Sequence, residues 1–144
     1  MLIPNQVKSL RQFFSPCLGG ILGGISVASN FWLIFMPISL FILWKGSERK
    51  IANFWWGFFF ILISHSWLYD LHPLTWLGFS WLVSLIITIS ILLFCAFLGG
   101  LLVYLWGLLV EIFLWKEDVF KMKILPLSVK VFFLSLTWSI GELI

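Results

Sequence analysis

Between Thr75 and Trp115 the chain carries one charged side chain, Glu111, and no proline. Within it, LVSLIITISILLFCAFLGGLLVYLW (Leu82 to Trp106) is apolar at nearly every position. It does not alternate apolar and polar residues as a barrel strand would. Backbone N–H and C=O groups in hydrocarbon must find partners within the protein, so such a segment is a helix. The rest of the chain is of the same character. Of 144 residues, 62% are hydrophobic and 10% charged, whereas a soluble domain is nearer half apolar and a quarter charged. A domain of this size leaves much of its surface wet and has no aqueous way to hide so much apolar area. The expected fold class is an all-α integral membrane protein: a polytopic bundle of about five transmembrane helices, the last truncated.

The expected spans are residues 13–28, 31–44, 51–69, 79–105 and 129–144. The first holds Gly19, Gly20, Gly23 and Gly24, in pairs four apart that share a helix face and let another helix approach closely. Lys8, Arg11 and the Ser26-Val27-Ala28 triplet suit a secretory signal, but FWLIFMPISLFILW follows at once, which favours a retained first span. The second span contains Pro37, which is expected to kink it. As one straight helix, Thr75 to Trp115 would reach ~60 Å, so it is either one span with extensions or two turning at Gly99-Gly100. Positive charge decides. With a single crossing, Lys8, Arg11, Lys45, Arg49, Lys50, Lys116, Lys121, Lys123 and Lys130 share one side. These are all nine basic residues, and Lys and Arg stay in short cytoplasmic loops. The expected location is a bacterial plasma (inner) membrane, multi-pass, with the N-terminus cytoplasmic.

The same clustering argues against nucleic acid as a partner, because the basic residues sit between apolar runs and form no binding face. Cys17 and Cys95 lie in apolar runs without zinc-type spacing and read as small buried hydrophobes. No metal site and no cofactor are expected. Both histidines fall in HSWLYDLHP (His65 to Pro73) with Asp70 between them. A metal site would need further ligands, and a proton relay an ionisable group deeper in the membrane. The motif therefore reads as a wet helix end, with Asp70 and His72 in an aqueous loop closed by Pro73.

The order of features resembles a known family. A glycine-rich first helix precedes a short proline-containing one and a basic loop, KGSERK. The third helix carries Ala52 and Gly57, close to an Ala-x-x-x-Gly pattern with one extra residue, and ends in Trp67-x-Tyr69. A long fourth helix, a second basic loop and a helix with Trp138-x-x-x-Glu142 follow. This is similar to the N-terminal membrane part of apolipoprotein N-acyltransferase. The resemblance implies acyl transfer from a phospholipid to the N-terminal cysteine of lipoproteins, through a nitrilase-like domain with a Glu base, an oxyanion-stabilising Lys and a Cys nucleophile. No stretch of this chain matches that domain, so no catalytic residue is expected in it. The expectation is a fragment of a longer protein or a remnant without chemistry of its own. The implied partners are a phospholipid acyl donor, lipoprotein substrates and membrane lipids. Trp67, Tyr69, Trp138 and Glu142 are the candidate substrate-facing residues, with interfacial anchoring as the plainer role for the aromatics.

The alternative is a small non-enzymatic membrane protein that packs against partner helices through Gly19 to Gly24 and Gly99-Gly100. A transporter subunit fits less well, since the middle of the first four spans offers few polar residues, Ser39, Ser84, Thr88 and Ser90.

Overall fold

A computed structural model describes residues 4–29, 34–46 and 49–116. The expected span 129–144, with Trp138 and Glu142, lies outside the described residues. Four α-helices are described: α1 (Pro4–Ala28), α2 (Phe35–Gly46), α3 (Lys50–Ser64) and α4 (Trp81–Lys116). Two short 3₁₀ helices, Ser66–Leu71 and Thr75–Leu77, join α3 to α4. No strand occurs among the described residues.

Helix α3 is the centre of the arrangement. It packs on α1 and on α4, while α2 rests mainly against α1. The apolar cluster at this junction comprises Leu43, Trp56, Val103, Trp106 and Val110. Trp56 stacks on Phe60, one turn along α3, with ring centroids 5.0 Å apart and planes 11° from parallel.

Two prolines mark helix starts. Pro4 opens α1, which then runs on through Pro16. Pro37 falls in the first turn of α2, which starts at Phe35. The first four N–H groups of a helix have no intrahelical partner, so a missing donor there is harmless. Pro37 thus sets a helix start where the sequence suggested a kink. At the far end of α3, Ser64 Oγ lies 3.0 Å from His65 Nδ1 and donates at 3.4 Å to the Ile61 carbonyl. Side chains that compete for backbone partners in this way favour helix termini. Gly78, at φ 81°, makes the left-handed turn that closes the second 3₁₀ helix and leads into α4.

Helix α4 continues unbroken through Gly99 and Gly100. Its segment Trp81–Glu111 is long and apolar enough to cross a membrane, the one such helix among the described residues; the apolar parts of α1, α2 and α3 are shorter. Large apolar side chains along its length, among them Leu82, Ile86, Phe94, Phe97 and Leu105, are exposed.

Candidate functional site

The glycines of α1 are where backbones come closest. A Cβ added to Gly20 would collide with the Trp56 carbonyl oxygen, and one on Gly24 would fall 2.6 Å from Ile63 Cβ. Gly19 and Gly23 face both α2 and α3: added Cβ atoms would sit 2.8 Å from Trp56 Cδ1, 2.9 Å from Ile42 Cγ2 and 2.5 Å from Ser39 Oγ. Ser39 ties three helices at this place. Its hydroxyl donates to the Gly19 carbonyl at 2.6 Å, and its own carbonyl accepts the Trp56 indole N–H at 3.2 Å. The pair Gly99 and Gly100 in α4 does for α3 what Gly20 and Gly24 do, meeting Ile61 and Phe54. These glycine faces are therefore filled by the chain's own helices.

At the basic end of the bundle, Lys50 Nζ approaches Glu111 Oε2 at 2.7 Å and pins the start of α3 to the last turns of α4. The hydrogen bond to Glu111 pushes the Lys50 ammonium above its ordinary value of 10.5. A pKa raised by folding gives stability that is complete below the unfolded value and is lost as pH rises through the folded one. The pair's contribution is thus flat through neutral pH and fades only above 10.5. It is small, because both groups are exposed and salt screens them. Thermal midpoints measured from neutral to strongly alkaline pH should show an alkaline decline that is weaker in Lys50→Met. An identical decline in that variant would assign it to other groups.

The opposite end carries the aromatic and histidine-containing loop. Trp67 and Tyr69 sit on the first 3₁₀ helix, beyond the end of α3, and both are exposed. Asp70 is exposed as well, whereas His65 and His72 are half-buried. Rings form a chain along the loop: His65 to Trp67 at 6.5 Å, Tyr69 to His72 at 6.1 Å, and His72 to Trp81 at 5.0 Å with planes 75° apart. The two histidines are not brought together around a shared ligand, and no cluster of three or more His, Cys, Asp or Glu side chains occurs among the described residues.

Ser84 organises this loop. It is fully buried in the first turn of α4. Its Oγ lies 2.8 Å from His72 Nδ1 and accepts the Leu74 N–H at 2.7 Å. Thr88, one turn on, donates to the Ser84 carbonyl at 3.0 Å. His72 is accordingly fastened to α4, not free in an aqueous loop. In the sequence Ser84 is one of a few small polar residues scattered through an apolar run. Its only hint was its place one turn inside the helix start, where a side chain can reach back to the preceding loop.

The chain is similar to curated proteins along most of its length. It is 62% identical over 143 residues to apolipoprotein N-acyltransferase of Prochlorococcus marinus subsp. pastoris (strain CCMP1986 / NIES-2087 / MED4), covering 99% of this chain and 29% of that protein. Proteins of the same name from Prochlorococcus marinus (strain SARG) and Parasynechococcus marenigrum (strain WH8102) are 43% identical over 69% of this chain and 35% over 88%. The chain spans 20% and 26% of their lengths, so it corresponds to less than a third of each relative. No family profile and no solved structure matches it.

Proposed function

We propose that this chain, a homologue of one part of the apolipoprotein N-acyltransferases, is the N-terminal, membrane-embedded portion of such an enzyme. The observation that carries the reading is the 62% identity over 99% of the chain. The long apolar helix α4 and its exposed apolar side chains suit the same setting. The location is the bacterial inner membrane, crossed several times, with the N-terminus in the cytoplasm, since this arrangement gathers the basic residues on one side.

The reaction moves an acyl chain from a phospholipid to a cysteine thiolate, and then to the α-amino group of a lipoprotein's N-terminal, lipid-modified cysteine. A thiolate nucleophile needs an adjacent base and donors for the oxyanion. Cys17 is buried and Cys95 lies on α4 amid apolar neighbours in sequence, surroundings that do not favour a thiolate. The role of this portion is to hold the acyl donor and the lipoprotein's lipid tails beside the catalytic domain. Trp67 and Tyr69, exposed at the loop end, are the substrate-facing residues among those described, and the reading includes Trp138 and Glu142 from the sequence. The reading as a partner-binding membrane protein loses its sequence basis, because the faces of Gly19 to Gly24 and Gly99-Gly100 are taken up inside the chain.

A chimera tests the proposal. These residues replace the aligned segment of the Prochlorococcus marinus subsp. pastoris relative, and the lipoprotein amino terminus is weighed by mass spectrometry. N-acylation by the chimera is expected. A chimera that inserts at normal levels but leaves the amine free would overturn the reading.

A further inference from the structure

The imidazole of His72 has one nitrogen accounted for and one not. Nδ1 lies 2.8 Å from Ser84 Oγ, while Nε2 is buried and has no hydrogen-bond partner among the described residues. The bonds at Ser84 decide which nitrogen holds the proton. Ser84 Oγ already accepts from the Leu74 N–H. If the serine hydroxyl donates to Nδ1, only an Nε2–H is left without a partner. If Nδ1–H donates to the serine instead, the serine proton and the Nε2 lone pair are both orphaned. A neutral imidazole has one proton to place, and each buried orphan costs about 1–3 kcal/mol. The first arrangement wins. His72 is thus an Nε2–H donor, oriented by Ser84, with no acceptor among the described residues.

The rings packed against the imidazole are those of Trp81 and Tyr69, both at the surface: Trp81 is 59% and Tyr69 50% exposed. Trp67 and Trp76, also exposed, belong to the same loop end. Indole rings in such numbers settle at the headgroup layer, where ester and phosphate oxygens are the abundant acceptors. We propose that His72 Nε2–H is a binding site for a phospholipid oxygen, an ester carbonyl or a phosphate, beside the exposed Trp81 indole that packs on the ring. The nature of the ligand rests on the membrane reading given above; the donor itself rests on the bonds at Ser84.

The test uses the full chain with ¹⁵N-labelled histidine in phospholipid-free detergent, His65→Gln serving to assign the two rings. The expected starting state has a protonated Nε2 and an unprotonated, hydrogen-bonded Nδ1. Adding a diacyl phospholipid should shift the His72 Nε2 resonance and leave Nδ1 nearly unchanged. A dialkyl ether phospholipid separates the sources: a retained shift names the phosphate, a lost one the ester carbonyl. A starting state protonated at Nδ1, or an Nε2 resonance indifferent to both lipids, would overturn the site. In native mass spectrometry His72→Ala should hold the responsive lipid about fivefold to tenfold more weakly, and His72→Gln, which keeps an amide donor, should lose less. Equal binding by folded His72→Ala also overturns it. Should that variant not fold, Trp81→Ala keeps the test open, because removing the indole packed on the ring is expected to enlarge the Nε2 response, and an unchanged response overturns the site. None of these readouts needs acyl transfer. A lipid-responsive His72 beside an inactive chimera would sink the enzyme reading alone, and a silent His72 beside an active chimera would sink the site alone.

Discussion

Gly20→Leu is expected to pry α1 from α3 and to lower stability by about 3 kcal/mol or more, the upper part of the range for overpacked interiors. The reason is the identity of the neighbour. The first added carbon would meet the carbonyl oxygen of Trp56, with Phe59 Cβ and Phe60 N each 3.1 Å away. Backbone atoms of a helix cannot rotate out of the way as the end of a side chain can, so relief requires the helices to separate. Separation would in turn stretch the Ser39 bond to Gly19 and the Trp56 bond to Ser39. Thermal unfolding in nanodiscs, followed by circular dichroism, measures the loss. Leu18→Ala, on a side chain that is 54% exposed, is the control expected to change little. A Gly20→Leu protein that unfolds at the wild-type midpoint would show that α1 and α3 do not meet at this glycine.

Trp56→Ala should have an effect of similar size, about 3–5 kcal/mol for the loss of a buried aromatic ring. Trp56 is 2% exposed and contacts all three neighbouring helices through Gly19 and Ser39 on one side and the Leu43, Val103, Trp106, Val110 cluster on the other. If the surroundings are lipid, its burial gains little from water release, and the loss is one of dispersion contacts and of a cavity left behind. Trp56→Phe separates the parts. It keeps a ring to stack near Phe60 and removes the indole donor, for an expected cost of about 1 kcal/mol. The two variants should therefore differ severalfold in their shift of the unfolding transition. Equal shifts would mean that the bond to the Ser39 carbonyl, not the packing, dominates.

Some of this arrangement is legible in the residues and some is not. Apolar runs announce helices, and the gathering of basic residues argues against a turn at Gly99-Gly100, through which α4 runs unbroken. Helix ends were less readable. Hydropathy marks the apolar part of a helix and not its polar extensions, so α1 reaches back to Pro4 and α4 on to Lys116, past the residues 13 and 105 that apolarity suggested. Trp67 and Tyr69 continue the apolar run of α3, yet they lie on a 3₁₀ turn, because Ser64 and His65 end the helix first. Gly19 to Gly24 could be placed on one face from spacing alone, while the identity of the opposing surface required the fold. The loop shows the same limit. HSWLYDLHP draws attention to a His–Asp–His pattern, but the partner that gives His72 its proton arrangement is a serine twelve residues away, and nothing in the intervening sequence connects them.

Gly57 and Gly99 bring two main chains almost into contact: a Cβ on Gly57 would lie 2.6 Å from the Gly99 carbonyl oxygen. A junction made of peptide groups lying against one another depends little on how much oily surface leaves water. Its strength should carry a small heat-capacity signature and vary gently with temperature. Such a seam should loosen little when the surrounding amphiphile is exchanged or the sample is cooled.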